Sequence, residues 1–193
     1  MTIAGEHRSR CRILQWAVGL TVVTIGLAAT GVGVASAKRT VRKQMAAPIR
    51  ISIPAIRVNA PIVPLGLNRD QTMQVPTKLG DAGWFRPGPE PGEQGAAVVV
   101  GHLNAGNAPG VFANLRAVRR GAVIKIRRRD GTLVRFVARS MIEVPKNRFP
   151  TARVYARTKQ PTLRVITCAG HWNPVTRRHP DNYIIFATIL RTR

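Results

Sequence analysis

After residue 48 the chain is punctuated by short runs of apolar and β-branched residues, at 49–53, 62–67, 96–100, 122–126, 133–138, 162–168 and 183–190. None repeats with a helical period, and each has the length of a strand. The pair Val123-Ile124-Lys125-Ile126-Arg127 and Leu133-Val134-Arg135-Phe136-Val137 alternates apolar and basic positions on either side of Asp130-Gly131. That is the signature of a β-hairpin. Pro87, Pro89 and Pro91, interleaved with Gly88, Gly92 and Gly95, predict an irregular loop over 84–95. Residues 105–116 have room for one short helix after Pro109. Seven strands with almost no helix predict an all-β fold, a barrel or a sandwich.

The N-terminal part has a different pattern. Residues 14–37 contain no charge, and a stretch of about 20 apolar and small residues is what a hydrocarbon core roughly 30 Å thick requires. This divides the chain into an N-terminal tail (1–13), a transmembrane anchor (14–37), a linker (38–49) and a folded domain (50–193). Ala35-Ser36-Ala37 also has the small-residue spacing of a signal-peptidase site, so a cleaved secretory signal is the alternative to an anchor. Arg8, Arg10 and Arg12 precede the segment while Lys38, Arg39, Arg42 and Lys43 follow it, so the positive-inside bias gives no orientation. With the N-terminus inside, either route places the domain on the outer side of the plasma membrane.

Charge narrows the partners. The chain carries a formal +23, and the seven basic residues and one acidic residue before Pro48 leave +17 on the remainder. Such a surface seeks anions. Nucleic acid is disfavoured, because the bases are scattered and ten aromatic residues make no stacking platform. Acidic wall polymers and anionic lipid heads fit an exported domain better.

The candidate chemistry lies where two of the strands end. The run Leu163-Arg164-Val165-Ile166-Thr167 leads into Cys168, and Ala96-Ala97-Val98-Val99-Val100 leads into Gly101-His102. Cys11 lies on the other side of the apolar segment, so Cys168 is expected to be a free thiol. A thiolate nucleophile needs a neighbour that stabilises its charge or takes its proton, and an imidazole does either. His102 is the best placed; His171 follows Cys168 by three residues, His179 sits in a basic loop and His7 precedes the apolar segment. Attack on an amide builds an oxyanion that calls for a cationic or N–H donor. Along a strand Arg164, Ile166 and Cys168 share a face, with Arg164 about 13 Å from the cysteine. Arg177 and Arg178 are rivals from the loop before the last strand. No metal-ligand spacing or phosphate-binding glycine motif occurs, and nothing calls for a cofactor.

A strand ending in Gly-His and a later strand reading Leu-x-x-Ile-Thr-Cys resemble the sortases. The ordered series Ile53-Pro54-Ala55-Ile56, Val75-Pro76, Ala82-Gly83-Trp84-Phe85, Gly101-His102, Val111-Phe112, Phe149-Pro150, Ile166-Thr167-Cys168 and Asp181-Asn182-Tyr183-Ile184-Ile185-Phe186-Ala187 is most similar to the class F sortases of actinobacteria. The resemblance implies an eight-stranded β-barrel with short helices in its loops, behind an N-terminal membrane anchor. It implies a cysteine transpeptidase that cuts a sorting signal near the C-terminus of exported proteins and passes the acyl group to a cell-wall amine. Cys168 would form the thioacyl enzyme and His102 would protonate the leaving amine. The family's third residue, an arginine at the start of the last strand, is replaced here by Asn182. Arg164 is therefore the first candidate for that role and Arg178 the second. A cysteine L,D-transpeptidase of the wall fits less well, since glycine precedes His102 and Ala169-Gly170 follow Cys168. The non-enzymatic alternative is a membrane-tethered basic module that binds anionic wall polymers.

Overall fold

The structure is a computed structural model, which describes residues 45–190. The expected tail, the anchor and most of the linker lie outside the described residues. Ten strands occur in chain order: β1 (Pro48–Ile53), β2 (Val58–Leu65), β3 (Ala82–Phe85), β4 (Gly95–Gly101), β5 (Asn104–Ala105), β6 (Ala108–Pro109), β7 (Val123–Arg128), β8 (Leu133–Pro145), β9 (Pro161–Ala169) and β10 (Asp181–Ile189). Eight of them close a barrel in the order β1-β2-β3-β4-β9-β10-β8-β7, with β7 returning to β1; β5 and β6 make a separate small hairpin. One short helix, α1 (Thr151–Val154), and three 3₁₀ turns complete the fold.

Every expected strand is present, with limits that move for physical reasons. Pro61 does not stop β2, which begins at Val58 and pairs through Pro61 opposite Arg50. The eighth barrel strand, β3, is too short and glycine-rich to stand out as a run. It takes Trp84 and Phe85 out of the expected loop, leaving 86–94 irregular. β8 continues to Pro145, well past the expected 138, because β10 pairs along its full length, with a register shift between Phe186 and Ala187. At the β7–β8 turn the Gly131 N–H donates to the Arg128 carbonyl (3.0 Å), and Arg128 and Thr132 close the next rung (2.9 Å). Gly131 takes φ 80° there, which glycine adopts without strain. The expected short helix after Pro109 is a 3₁₀ turn over Leu115–Ala117.

Two apolar layers stabilise the barrel. The interior is filled by side chains including Ile51, Ile124, Ile126, Phe136, Leu163, Val165 and Ile185. A second layer, with Val98, Val100, Ile166, Ile184 and Phe186, covers the outer face of β4, β9 and β10 beneath Val154 of α1 and Phe149. β4 is thus apolar on both faces, which explains its unbroken run of valines. Residues 42–193 cluster as one unit, and every rung of the barrel lies within 48–189, so this part carries the core it needs to fold by itself.

Candidate active site

β4 and β9 run parallel, and their register places Val98 beside Arg164 and Val100 beside Ile166. The pairing runs to Val100 and Ile166, and the same offset carried two residues further would match His102 with Cys168. Neighbouring strands are about 4.8 Å apart. The Thr167 hydroxyl donates to the Gly101 carbonyl (2.8 Å), tying the two strand ends together at the rung before the cysteine and the histidine. Cys168 is a free, partly exposed thiol.

His102 is fixed from two sides. Its Nε2 lies 2.7 Å from the carbonyl oxygen of Pro76. A carbonyl only accepts, so Nε2 carries the hydrogen. In the neutral ring Nδ1 is then the acceptor. On the main chain, the His102 carbonyl accepts from Phe112 N–H (3.0 Å), and the Leu103 carbonyl accepts from Gly110 N–H (2.8 Å). Gly110 packs flat against the His102 backbone, and a Cβ there would lie 2.7 Å from the histidine's own Cβ. The orienting group is a backbone carbonyl, which no side-chain pattern announces, although Val75-Pro76 belongs to the family-like series.

Opposite Cys168 on its other side, β10 supplies Asn182 as the direct rung partner. The position where the family places arginine therefore does adjoin the cysteine, and here it holds an uncharged amide. Arg164 is buried, 6% exposed, on the face of Cys168 but four residues away. Its guanidinium stacks over the Phe186 ring (4.8 Å to the centroid) and donates through Nη1 to the Leu163 carbonyl (3.2 Å). Nε has no partner. Burial, then the charge of Arg153, push its pKa down to about 10. Arg153, on α1, also lies over this ring, 4.2 Å from the centroid. Arg178 is exposed in the β9–β10 loop, its backbone paired with Asn173. Among the described residues, neither arginine makes a hydrogen bond to Cys168.

The other histidines part company. His171 is exposed. His179 donates from Nδ1 to the Gly170 carbonyl (2.9 Å), while its Nε2 lies 2.9 Å from Oδ1 of Asn104. It thereby joins the β9–β10 loop to the β5–β6 hairpin, flanking the two strand ends. Gly170 begins that loop at φ 81°, with the Asp181 carboxylate 2.6 Å from where a Cβ would stand.

The barrel carries a free, partly exposed thiol near the end of β9 and, just past the end of its parallel neighbour β4, an imidazole oriented by a backbone carbonyl, the two groups that cysteine-dependent acyl transfer calls for. The family model of the sortase domain matches residues 51–190, and the chain belongs to the sortase family, whose members are cysteine transpeptidases. Solved structures agree on the fold. Sortase A from Corynebacterium diphtheriae is 21% identical, with 78% of this chain and 64% of that one aligned and a TM-score of 0.59. A sortase D5 transpeptidase of Clostridium perfringens is 21% identical over 77% of this chain and 83% of its own, at a TM-score of 0.56. Sortase C of Streptococcus pneumoniae is 18% identical over 75% and 67% of the two chains, at 0.57. No curated protein matches the sequence.

Proposed function

We propose that this protein is a class F-like sortase of the plasma membrane. It cleaves the C-terminal sorting signal of exported proteins and joins them to an amine of the cell wall. The single observation that carries the reading is the parallel β4/β9 pairing, tied at Thr167 and Gly101, one residue before Cys168 and His102. The Cys168 thiolate attacks the carbonyl carbon of the scissile peptide bond. The C–N bond breaks as the His102 imidazolium gives its proton to the leaving amine, and the acyl group remains as a thioester on Cys168. The acceptor amine then attacks the thioester, loses a proton to His102 and expels the thiolate. Of the two arginines Arg164, which shares the face of Cys168, stays the first candidate for the oxyanion role and Arg178 the rival; to serve, the Arg164 guanidinium would have to leave the Phe186 ring over which it is held. The uncharged segment 14–37 is assigned as the anchor that holds the domain outside the membrane.

The test is mass spectrometry of residues 45–193 mixed with peptides of the Leu-Pro-x-Thr-Gly type and a small amine. A thioacyl adduct on Cys168 that converts to the amide product supports the reading. Cys168→Ala abolishes it, and His102→Gln slows turnover about a hundred- to ten-thousand-fold. A chain that forms no adduct across a broad peptide library, yet binds wall polymers equally well with Cys168→Ala, is instead the basic binding module.

A further inference from the structure

The β9–β10 loop, residues 170–180, carries two of the three most exposed large apolar side chains of the described chain, the third being Val75. Val175 is 90% exposed and Trp172 53%. Neither is left loose. Asn173 and Arg178 bond backbone to backbone in both directions (3.0 and 3.3 Å), and the Asn173 side-chain oxygen accepts from the N–H groups of Val175 (2.9 Å) and Thr176 (3.0 Å). Arg177 turns the chain at φ 52°. The Trp172 ring packs edge-to-face on His179 at 5.3 Å, the histidine that bridges Gly170 and Asn104. The result is a pre-ordered tip that presents Trp172, Pro174 and Val175 to solvent beside the exposed Arg177 and Arg178, with no carboxylate between Gly170 and Pro180.

A large exposed tryptophan and an aliphatic side chain on a fixed loop are costly in water and favourable at a membrane interface, where indole rings settle at headgroup level. Arginines next to them meet anionic headgroups. A soluble polyanion uses the arginines but leaves Trp172 and Val175 in water; an anionic bilayer takes both at once. We propose that residues 172–178 form a bilayer-docking tip, with Trp172 and Val175 seated in the interface of an anionic membrane and Arg177 and Arg178 on its headgroups. The tip starts four residues after Cys168, so docking holds the thiol close to the membrane plane. The inner side of the tip borders a cavity that Leu103, Ala169, Glu143 and Asp181 also line, but the docking itself uses neither Cys168 nor His102 and so does not rest on the acyl-transfer reading.

Residues 45–193 contain only Trp84, 3% exposed, and Trp172, so tryptophan fluorescence reads the tip. Vesicles of phosphatidylcholine with phosphatidylglycerol should shift the emission to the blue and co-sediment the protein, and brominated acyl chains should quench it. Trp172→Ala removes shift and quenching. Val175→Asp weakens partitioning about tenfold, and Arg177→Ala and Arg178→Ala about fivefold each; Cys168→Ala changes nothing. Three results overturn the proposal. They are absence of partitioning, partitioning with no shift or quenching and no response to Val175→Asp, and an equal blue shift with soluble polyphosphate.

Discussion

Arg164 is the residue whose surroundings least match its chemistry. A buried guanidinium beside a second arginine, with Nε unpaired, costs stability, and such groups can often be replaced by apolar residues of similar volume without loss. Arg164→Met is therefore expected to raise the unfolding midpoint in urea. The pH dependence follows from its depressed folded pKa of about 10. Above that value the unfolded chain still holds the proton that the folded chain has lost, so folded stability rises with pH. The penalty is fully present below about pH 10, and the advantage of Arg164→Met over wild type should shrink as pH climbs beyond it. A midpoint lower than wild type at pH 8 would contradict this account. Because the variant stays folded, its turnover also decides between Arg164 and Arg178 as the oxyanion residue. Gly110 tests the opposite kind of site. Gly110→Ala pushes a methyl against the His102 backbone and should cost about 2 kcal/mol. Its turnover should fall more than that of Gly131→Ala, a change of similar cost far from the site.

At the scale of elements, the site depends on one parallel strand pair and on the hydroxyl that locks its end. Thr167→Val keeps the shape and removes the donor to the Gly101 carbonyl. A loss of about 1–2 kcal/mol in chemical unfolding is expected, with a larger relative fall in acylation rate as the strand ends that carry His102 and Cys168 loosen; an unchanged acylation rate would separate the lock from the chemistry. This pair also shows what the sequence makes legible. β4 and β9 stand out because burial on both faces selects continuous β-branched runs, and Cys168 and His102 stand out because each follows such a run. What stays hidden is set by tertiary register. β3 is a strand only because β2 and β4 flank it. The Pro76 carbonyl reaches His102 from 26 residues away, and backbone acceptors leave no residue-type signal. Asn182 is legible as a departure from the family pattern, but its place directly across from Cys168 appears only once β10 is paired.

For the whole molecule, the proposed first step needs thiolate and imidazolium together, so the rate of acylation should trace a bell against pH. Stopped-flow thioester formation reads it, and a flat profile through the range where thiols and imidazoles titrate would remove His102 from the mechanism. The parallel pairing has a further consequence, for the route by which the barrel assembles. β4 and β9 meet only after residues 102–160, with the β7–β8 hairpin and α1, have been threaded around the barrel. Contacts between such distant segments close late, since loop entropy opposes them until the intervening chain has condensed. The strand ends that carry Cys168 and His102 are therefore joined at the end of folding, and a half-folded chain carries a thiol with no partner imidazole. Reactivity arrives together with the finished barrel, so refolding followed by thioacylation should lag refolding followed by backbone signals.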